Sequence, residues 1–445
     1  MKLSTLSPLL LYLPYSYYLL VLFLLCIVNY YLGIDFGTSG ARAIAIDEEK
    51  NIVATSQSNF SDVSPDKLTQ IWKNTLFKLI LDIPLEIRNS IRAIALNGTS
   101  STVLLCDAQG KPIAAPLLYN DDRGKEVVEQ IKNIAPENHV VISATSSLAK
   151  LLWWQQQPYF KEARYLLHQA DWLGWLLHGK LGKSDYHNAL KLGYDVEYLC
   201  YPDWLSDKPY SFLYPQVLTP GAAVGKVTPE NRDRFNLSSD CIVKAGTTDS
   251  IAAFLASGAT QPGEAVTSLG STLVLKLLSK TRITASDYGI YSHRLGNLWL
   301  AGGASNTGGA VLRHFFSDEE LQSLSQRIDP NIKSSLEYYP LLKPGDRFPI
   351  NDPNLAPQLF PLPTNSVEFL HGLLEGISRI EAIGYQKLQK LGADKLIRVY
   401  TAGGGAKNQV WQEIRYRYLH VAVNKATNTE AAYGTALLAA NTISL

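Results

Sequence analysis

The same strand–turn–strand pattern occurs twice in the chain, and this duplication limits the possible folds more than any other feature. Residues 33–47 read "GIDFGTSGARAIAID", two apolar runs joined by glycine and hydroxyl residues, and residues 265–279 read "AVTSLGSTLVLKLLS". A looser pair, "LNGTS" and "TAGGG", lies at residues 96–100 and 401–405. The duplication predicts two related domains, each of which offers a hairpin to a crevice between them. The alternative is convergence, because unrelated β-hairpins also look alike.

Length and composition agree with two globular domains. A chain of 445 residues exceeds the size at which a single hydrophobic core keeps growing. Its residues are 46% apolar and 18% charged, and the net charge of +1 excludes the strongly basic class of nucleic-acid-binding proteins. The cysteines are scattered without metal-ligand spacing, which indicates buried thiols in a reducing compartment: Cys26, Cys106, Cys200 and Cys241.

The first 28 residues form a segment of unusual composition. Lys2 is its one charged side chain, and residues 19–28 read "LLVLFLLCIV". The segment is long enough to be a membrane anchor. It lacks the cleavage site of a secretory signal. A mistranslated leader is the other interpretation. Since Met1 is the only methionine, a shorter product would begin at another codon, such as that of Val28. We expect a cytoplasmic location, with an organellar stroma or a membrane tether as alternatives if residues 1–28 are made.

Beyond this segment, the spacing of apolar residues alternates between that of strands and that of helices, which is typical of an α/β fold. Helical spacing marks four stretches in particular: residues 147–157, 169–182, 366–393 and 429–440. Residues 241–259 read as a strand, a short turn and a helix whose first turn contains Asp249. Residues 339–363 hold seven of the 22 prolines and are predicted to form an extended connection on the surface.

The two hairpins have the composition of phosphate-binding loops. Glycine lets the backbone approach a phosphate closely, and neighbouring N–H groups hold its negative charge without a lysine. The chain contains neither the P-loop pattern nor the glycine fingerprint of dinucleotide-binding folds, which excludes both of these classes. Asp35, at the end of the first strand, is a candidate magnesium-site residue that holds Mg²⁺ through water. A turn-capping aspartate is the alternative.

Four segments, "GIDFGTSGARAIAID", "AGTTDSIAAF", "SLGSTLVL" and "TAGGGAKNQVW", resemble the phosphate, base and adenosine motifs of the FGGY carbohydrate kinases. The resemblance extends from Tyr30 to the C-terminus with the motifs in the same order. It implies the fold of the actin, hexokinase and Hsp70 ATPase superfamily. Within the family, "DFGTSGARAIA" and "SDYHNALKLGY" are similar to the short cyanobacterial and plant-type kinases of D-ribulose or D-xylulose.

The resemblance implies an enzyme that uses ATP and Mg²⁺, and it gives roles to particular residues. Asp249 is the expected general base, because a carboxylate at a helix N-terminus stays ionised and accepts a hydroxyl proton; a helix-capping aspartate is the alternative. Thr38 is also expected beside the transferred phosphoryl group. The residues expected to bind ATP are Gly37, Thr38, Ser39, Gly270, Ser271, Thr272, Gly303, Gly404, Gly405, Asn408 and Trp411. Asn408 and Trp411 are expected to contact the base, although a core position is the alternative for Trp411 and a plain turn for Gly303.

The sugar-binding side is less clearly marked. Where many family members have a Gln-x-His segment, this chain reads "LNGTSST", which leaves Ser100 as a hydroxyl contact beside Asp35 and Asp249. Asn188 and Lys191 lie near the expected cleft, with a solvated helix face as the alternative. The eight histidines show no metal or triad spacing and are interpreted as structural or surface residues.

Together these interpretations predict a two-lobed α/β protein in which each ribonuclease-H-like lobe is a mixed sheet flanked by helices. The first lobe is predicted at residues 29–256 plus 430–445, and the second at residues 257–429. The predicted reaction converts D-ribulose to D-ribulose 5-phosphate, with D-xylulose as the alternative substrate. The other possible classes of function are a non-catalytic regulator that binds sugar or nucleotide, and an actin- or Hsp70-like ATPase. The presence of both Asp35 and Asp249 argues against the regulator. The segments "SDYHNALKLGYD" and "KPGDRFP", which the resemblance places at the sugar cleft, argue against the ATPase.

Overall fold

The computed structural model describes residues 28–60 and 64–441. The expectations for the apolar N-terminal segment therefore fall outside the described residues, apart from Val28. Within the described ranges, no helix is both long enough and apolar enough to cross a lipid bilayer.

Strands and helices alternate along the described chain, as the apolar spacing predicts. The strands are β1 (Tyr30–Phe36), β2 (Gly40–Ile46), β3 (Ile52–Asn59), β4 (Ile91–Gly98), β5 (Val103–Cys106), β6 (Tyr165–His168), β7 (Lys183–Asp185), β8 (Gln216–Leu218), β9 (Ala223–Lys226), β10 (Ile242–Lys244), β11 (Thr247–Thr248), β12 (Glu264–Leu269), β13 (Leu273–Ser279), β14 (Tyr291–Leu295), β15 (Leu298–Ser305), β16 (Arg398–Ala402) and β17 (Ala422–Lys425). The helices are α1 (Leu68–Asp82), α2 (Leu85–Arg88), α3 (Val128–Lys132), α4 (Ser147–Gln155), α5 (Gln169–His178), α6 (Tyr186–Ala189), α7 (Asp203–Ser206), α8 (Pro229–Phe235), α9 (Asp249–Ala256), α10 (Gly309–Phe315), α11 (Asp318–Ser325), α12 (Ser366–Lys390), α13 (Gln409–Leu419) and α14 (Ala431–Ala439).

Local capping chemistry sets several helix boundaries. The hydroxyl of Ser146 accepts a hydrogen bond from the Ala149 amide at the start of α4. Helix α5 ends at Gly179 (φ +72°), and Gly392 (φ +106°) follows α12, two positions where the left-handed conformation favours glycine. The four predicted helical stretches are confirmed as α4, α5, α12 and α14, and the first turn of α9 contains Asp249 as predicted.

Two mixed sheets share one topology, which confirms the predicted fold with two related lobes. In the first sheet the strand order is β3-β2-β1-β4-β10-β9, with β11 also pairing with β4. In the second it is β14-β15-β13-β12-β16-β17. Five strands correspond one to one, since each sheet has an antiparallel meander (β1-β2-β3 and β12-β13-β15) followed by two parallel neighbours. The duplicated sequence pattern is thus the first hairpin of each lobe.

Helix α9 links the two lobes through apolar contacts. Its residues Ile251, Phe254 and Leu255 form one buried cluster with Val266 of β12 and Leu278 of β13 in the second sheet. Burial of such side chains contributes roughly 1.5–3 kcal/mol each. The helix that begins at Asp249 is therefore held between the lobes.

The last helix returns to the first lobe and packs there at unusually short range. At Gly33 of β1, an added Cβ would lie 2.1 Å from the Ala432 carbonyl oxygen of α14. At Gly434 of α14, an added Cβ would lie 1.9 Å from the Ala252 carbonyl oxygen of α9. Helix α14 thus packs against both β1 and α9. We therefore propose that the first lobe consists of residues 29–256 and 430–445, and that the second consists of residues 257–429.

The proline-rich connection at residues 339–363 is irregular, as expected. The prediction that it lies on the surface holds for residues 350–363 but is wrong for much of residues 340–349. Phe348 is 1% exposed and packs in the core of the second lobe. Asp346 is also buried, and its carboxylate accepts hydrogen bonds from Ser305 Oγ at 2.8 Å and Tyr339 Oη at 2.5 Å. The prolines prevent a regular strand, whereas Leu341 and Phe348 are still buried.

Replacement of Gly434 by alanine is expected to destabilise the protein, although alanine is the better helix former by about 1 kcal/mol. The added methyl group has no room beside Ala252, and overpacking of this kind costs about 1–3 kcal/mol. Gly174→Ala in α5 is the matched control, because its added Cβ would meet no atom closer than 3.4 Å. Thermal unfolding should show a lower Tm for Gly434→Ala and an unchanged or higher Tm for Gly174→Ala. Equal Tm values for the two variants would contradict the close crossing.

Candidate active site

The carboxyl ends of three parallel strands of the first sheet meet at the gap between the lobes. Asp35 of β1 is in register with Asn97 of β4, and Asn97 is in register with Thr247 of β11. Asp249 follows two residues after Thr247 and is the first residue of α9. Ligands of open α/β sheets bind at this kind of edge. The structure thus brings the two carboxylates singled out in the sequence to one edge of the sheet.

Both carboxylates have raised pKa values, mainly because they are buried. The pKa of Asp35 is raised to about 6, chiefly by burial and also by the charge of Asp249, while Asn97 opposes the shift. Burial also raises the pKa of Asp249, while the backbone N–H groups of Ser250 and Ser100 lower it. An electrostatic effect of one carboxylate on the other indicates that they face the same space. Paired carboxylates with perturbed pKa values are typical of functional sites.

A lysine from the second lobe reaches the same place. Lys276 lies on β13, and its Nζ donates hydrogen bonds to the Ser250 Oγ at 2.9 Å and to the Ser250 carbonyl oxygen. Ser250 is the neighbour of Asp249, and the charge of Lys276 lowers the pKa of Asp249. Since Lys276 belongs to the second hairpin and Asp35 to the first, both hairpins border one gap.

The first hairpin turn is compact and solvent-exposed. The Gly37 amide donates to the Gly40 carbonyl oxygen at 3.0 Å, which closes the turn around Thr38 and Ser39. Both hydroxyl residues are exposed. An added Cβ on Gly40 would lie 2.7 Å from the Ser58 carbonyl oxygen, so close approach of β3 requires glycine there. The expected phosphate-facing residues, including Gly37, are therefore at the tip of the hairpin.

The second hairpin turn, residues 270–272, rests on the start of α10. The Gly309 amide donates to the Gly270 carbonyl oxygen at 2.8 Å, and the Ala310 amide donates to the Ser271 carbonyl oxygen at 3.0 Å. From the same helix, Arg313 donates a hydrogen bond to Ser271 Oγ at 3.1 Å. Sequence reasoning did not select Arg313, which adds a cation beside the turn.

Gly303 is not placed to bind phosphate. It lies within β15, in register with Leu275 of β13, rather than in the turn before α10. An added Cβ would lie 2.5 Å from Cγ of Phe348, so glycine is needed for core packing. The glycines that contact the hairpin turn are Gly309, whose amide bonds Gly270, and Gly308 (φ +141°), where an added Cβ would lie 2.7 Å from the Thr272 carbonyl carbon.

The glycine turn after β16 contains residues with different roles. Gly403 has φ +82°, and an added Cβ would lie 2.7 Å from the Leu269 carbonyl oxygen. An added Cβ on Gly405 would lie 2.7 Å from both Leu269 and Trp411. At Gly404 an added Cβ would meet no heavy atom within 4 Å. Of the two glycines expected at the nucleotide, Gly404 thus presents an open face, and Gly405 serves packing.

The expected contacts of Asn408 and Trp411 with the nucleotide base need correction. Trp411 is 2% exposed, and its Nε1 donates to Ser378 Oγ at 3.1 Å, so its ring cannot stack on a ligand. Asn408 Oδ1 accepts a hydrogen bond from the Trp411 amide, while Nδ2 donates to Ser325 Oγ at 2.8 Å. Asn408 is therefore the N-cap of α13, and its helix buries Trp411 in the core.

The loop after β4 carries Ser100 to the site. Its backbone N–H lowers the pKa of Asp249, which places Ser100 beside the candidate base. The next residue, Ser101, has φ +64°, and its carbonyl oxygen accepts a hydrogen bond from Lys150 Nζ at 2.7 Å. Lys150 also donates to the Leu118 carbonyl oxygen at 2.6 Å. A buried lysine thus holds the loop that presents Ser100.

Several residues near the gap were not selected from the sequence. His187 of α6 bonds Thr247 Oγ1 at 2.8 Å and the Arg294 carbonyl oxygen at 2.6 Å, which joins the two lobes. His293 of β14 is buried beside His187, with ring centroids 6.2 Å apart. No spacing signal marks these histidines. Lys276 did leave a signal, because it interrupts the apolar run "LVLKLLS".

The residues at the gap fit a magnesium ion held mainly by water and phosphate. Within the described ranges, no group of three or more His, Cys, Asp or Glu side chains forms a metal cluster. Asp35 Oδ1 is buried and has no hydrogen-bond partner among the described residues. Mg²⁺ keeps most of its water and typically takes one or two carboxylates with substrate phosphates. One carboxylate with an unpaired oxygen suits this coordination.

Two family models together match nearly all of the described chain. The model of the FGGY family of carbohydrate kinases, N-terminal domain, matches residues 30–256, and that of the C-terminal domain matches residues 265–443. The chain is 24% identical to the xylulose kinase of Staphylococcus epidermidis over 443 residues, which covers 92% of this chain and 87% of the relative. It is 21% identical to the gluconokinase of Bacillus subtilis over 433 residues, covering 87% of this chain and 82% of the relative.

Solved structures agree with this fold. A xylulose kinase from Brucella ovis has a TM-score of 0.80 and 23% identity, with 92% of this chain and 90% of that chain covered. Plasmodium falciparum glycerol kinase with ADP has a TM-score of 0.79 and 18% identity, with 93% and 89% covered. At such identities the likeness concerns the fold.

Asp35→Asn is expected to stabilise the protein in a pH-dependent way. The folded-state pKa of Asp35, about 6, exceeds the ordinary value of 3.8, so the ionised carboxylate destabilises the fold at neutral pH. The neutral amide should add about 1–3 kcal/mol of stability above pH 6, and the gain should vanish as pH falls towards 4. Denaturant unfolding at pH 7.5 and 4.5 measures the difference. The exposed Asp233→Asn, whose partner is Arg232, is the control and should change stability by less than about 0.5 kcal/mol. A gain that is equal at both pH values would contradict this account.

Gly404→Ala is expected to weaken ATP binding, whereas Gly405→Ala is expected to disturb packing and lower stability. Gly405→Ala should cost about 1–3 kcal/mol of stability, because its methyl group overlaps Leu269 and Trp411. Gly404→Ala should leave the Tm nearly unchanged and weaken ATP binding about tenfold, since its methyl group would face the nucleotide. Thermal unfolding and titration with ATP measure the two effects. Unchanged ATP affinity in Gly404→Ala would place the nucleotide elsewhere.

Proposed function

The chain belongs to the FGGY family of carbohydrate kinases and is an ATP-dependent sugar phosphotransferase, and we propose that its substrate is a ketopentose phosphorylated at the terminal hydroxyl. The observation that supports the proposal is that Asp35 of the first hairpin, Asp249, and Lys276 of the second hairpin come together between the lobes. A regulator that only binds sugar has no need for a buried carboxylate at a helix N-terminus.

In the proposed reaction, Asp249 is the general base. The sugar hydroxyl oxygen attacks the γ-phosphorus of ATP, its proton passes to an Asp249 carboxylate oxygen, and ADP leaves. The Ser250 and Ser100 backbone N–H groups support the ionised form of Asp249 that accepts this proton. Positioned bases of this kind contribute roughly 10²–10⁴-fold to the rate.

The hairpins are proposed to hold the phosphates from opposite lobes. Thr38 and Ser39 would approach the transferred group from the first lobe, and Ser271 and Thr272 from the second, where Gly270 keeps the backbone accessible. Backbone N–H groups and hydroxyls in such turns bind anions without a lysine. The open face of Gly404 is the proposed resting place of the nucleoside.

Asp35 is the residue proposed to hold Mg²⁺ through water. The bound ion would neutralise charge on the phosphates of ATP. Asp35 is also proposed to accept a hydrogen bond from a sugar hydroxyl, as are Ser100 and Asp249, because charged acceptors bind hydroxyl groups strongly.

Contacts between the lobes would keep water from the γ-phosphate, since a hydroxyl acceptor must compete with water for the phosphoryl group. His187 bonds the Arg294 carbonyl oxygen of β14 at 2.6 Å, and Arg294 donates to the Val196 carbonyl oxygen at 3.1 Å. These bonds bring the strand pair β14-β15 against the first lobe.

Two sugars are the leading candidates. D-ribulose is favoured by the motifs "DFGTSGARAIA" and "SDYHNALKLGY", which resemble those of the ribulose kinase group. D-xylulose is favoured by several relatives named xylulose kinase, at 22–24% identity. The two sugars differ in the configuration of one hydroxyl, so the choice depends on side chains near Ser100.

A coupled ADP-release assay across D-ribulose, D-xylulose, gluconate and glycerol tests the proposal. A ketopentose should raise ADP release most strongly in the wild type. Asp249→Asn should lower kcat at least about 10²-fold, because the amide cannot accept the hydroxyl proton. The surface variant Asp233→Asn should keep the wild-type rate.

Two outcomes would contradict this function. No stimulation of ADP release by any sugar would favour a binding protein. Sugar-stimulated release at the wild-type rate by Asp249→Asn would remove Asp249 from the chemistry.

A further inference from the structure

Lys276 of the second sheet bonds the residue next to the candidate base, and its position on the strand explains why. On β13 it alternates with Leu275 and Leu277, which are buried in the core of the second lobe. Because successive side chains of a strand point to opposite faces, Lys276 points away from that core, towards α9. There its Nζ bonds the Ser250 Oγ at 2.9 Å and the Ser250 carbonyl oxygen.

We propose that Lys276 is a positioning residue that places a positive charge from the nucleotide-binding lobe against the base Asp249. This inference rests on the proposed kinase function. Lys276 shares its hairpin with Ser271 and Thr272, so the same contact that brings the phosphate-binding turn to the first lobe also brings the cation to the base. The charge of Lys276 lowers the pKa of Asp249 and so favours the ionised form of the base.

The other charged and titratable groups around Asp249 do not replace Lys276. They are Asp35 on β1, Lys191 after α6, His187 on α6 and His293 on β14. Asp35 is a second negative charge, which increases the need for a cation. Burial lowers the pKa of His187 to about 4 and that of His293 well below its usual range, so both are neutral near pH 7.

Lys191 is the remaining cation, and it is placed differently. Its Nζ lies 5.9 Å from the ring centroid of Tyr291, in a cation–π contact. Lys276, by contrast, is bonded directly to the residue next to Asp249. Burial lowers the pKa of Lys276 to about 8, while Asp249 opposes this shift, so Lys276 is still mostly protonated at pH 7.

The test compares kcat against pH from 6 to 9 for wild type, Lys276→Met, Lys276→Arg and the exposed Lys280→Met, a control from the end of the same hairpin. Loss of the cation raises the pKa of Asp249, so the acidic limb of the Lys276→Met profile should move up by about one pH unit. Its kcat should fall by up to about tenfold at pH values below the limb and change little at pH values above it. In Lys276→Arg and Lys280→Met, the acidic limb of the kcat profile should stay at its wild-type pH.

Ser250→Ala provides a milder test that does not depend on the folding of Lys276→Met. It removes one of the two acceptors that hold Nζ, so its limb should move in the same direction by a smaller amount. The role of Lys276 would be overturned if the acidic limb of the kcat profile stayed at its wild-type pH in both Ser250→Ala and Lys276→Met. An equal loss of kcat at every pH would also overturn it. A wild type without sugar-stimulated ADP release would instead refute the proposed function.

Discussion

The close packing of β1, α14 and α9 is the constraint on which the rest of the structure depends. Gly33 and Gly434 allow backbone-to-backbone approach at positions where any side chain would overlap a carbonyl oxygen. This packing fixes the direction of α9, which in turn carries Asp249 at its first residue and apolar side chains into the second sheet. One helix therefore positions the candidate base and joins the lobes, so an error in its packing would disturb both.

Around that helix, polar groups from both lobes converge on a small region. Asp35 and Asp249 come from strand ends of the first sheet, and Lys276 comes from a strand of the second. The carboxylates have raised pKa values because they are buried, and the lysine has a lowered pKa for the same reason. Burial of such groups destabilises a fold and is typical of functional sites. The arrangement is consistent with a site for proton transfer whose buried ionisable groups lower the stability of the fold.

The sequence predicted what depends on local pattern and on repetition. The duplicated hairpins, the helical stretches and the place of Asp249 in the first turn of α9 were predictable because spacing and glycine placement determine them. Features that depend on tertiary packing were not predictable from the sequence. Trp411 is expected at the nucleotide, with a core position as the alternative, and its helix turns it into the core, while Gly303 provides room for Phe348. The contact of Lys276 with Ser250 joins residues from different lobes, and only the folded chain reveals it.

The central claim is that ATP lies between the two hairpins with the sugar hydroxyl at Asp249. A crystal structure of the protein with Mg²⁺, a non-hydrolysable ATP analogue and a ketopentose tests it most directly. We expect the triphosphate between residues 37–40 and 270–272, and the terminal sugar hydroxyl within hydrogen-bond distance of an Asp249 carboxylate oxygen. A triphosphate bound away from either turn, or a sugar whose hydroxyls all lie remote from Asp249, would contradict the account.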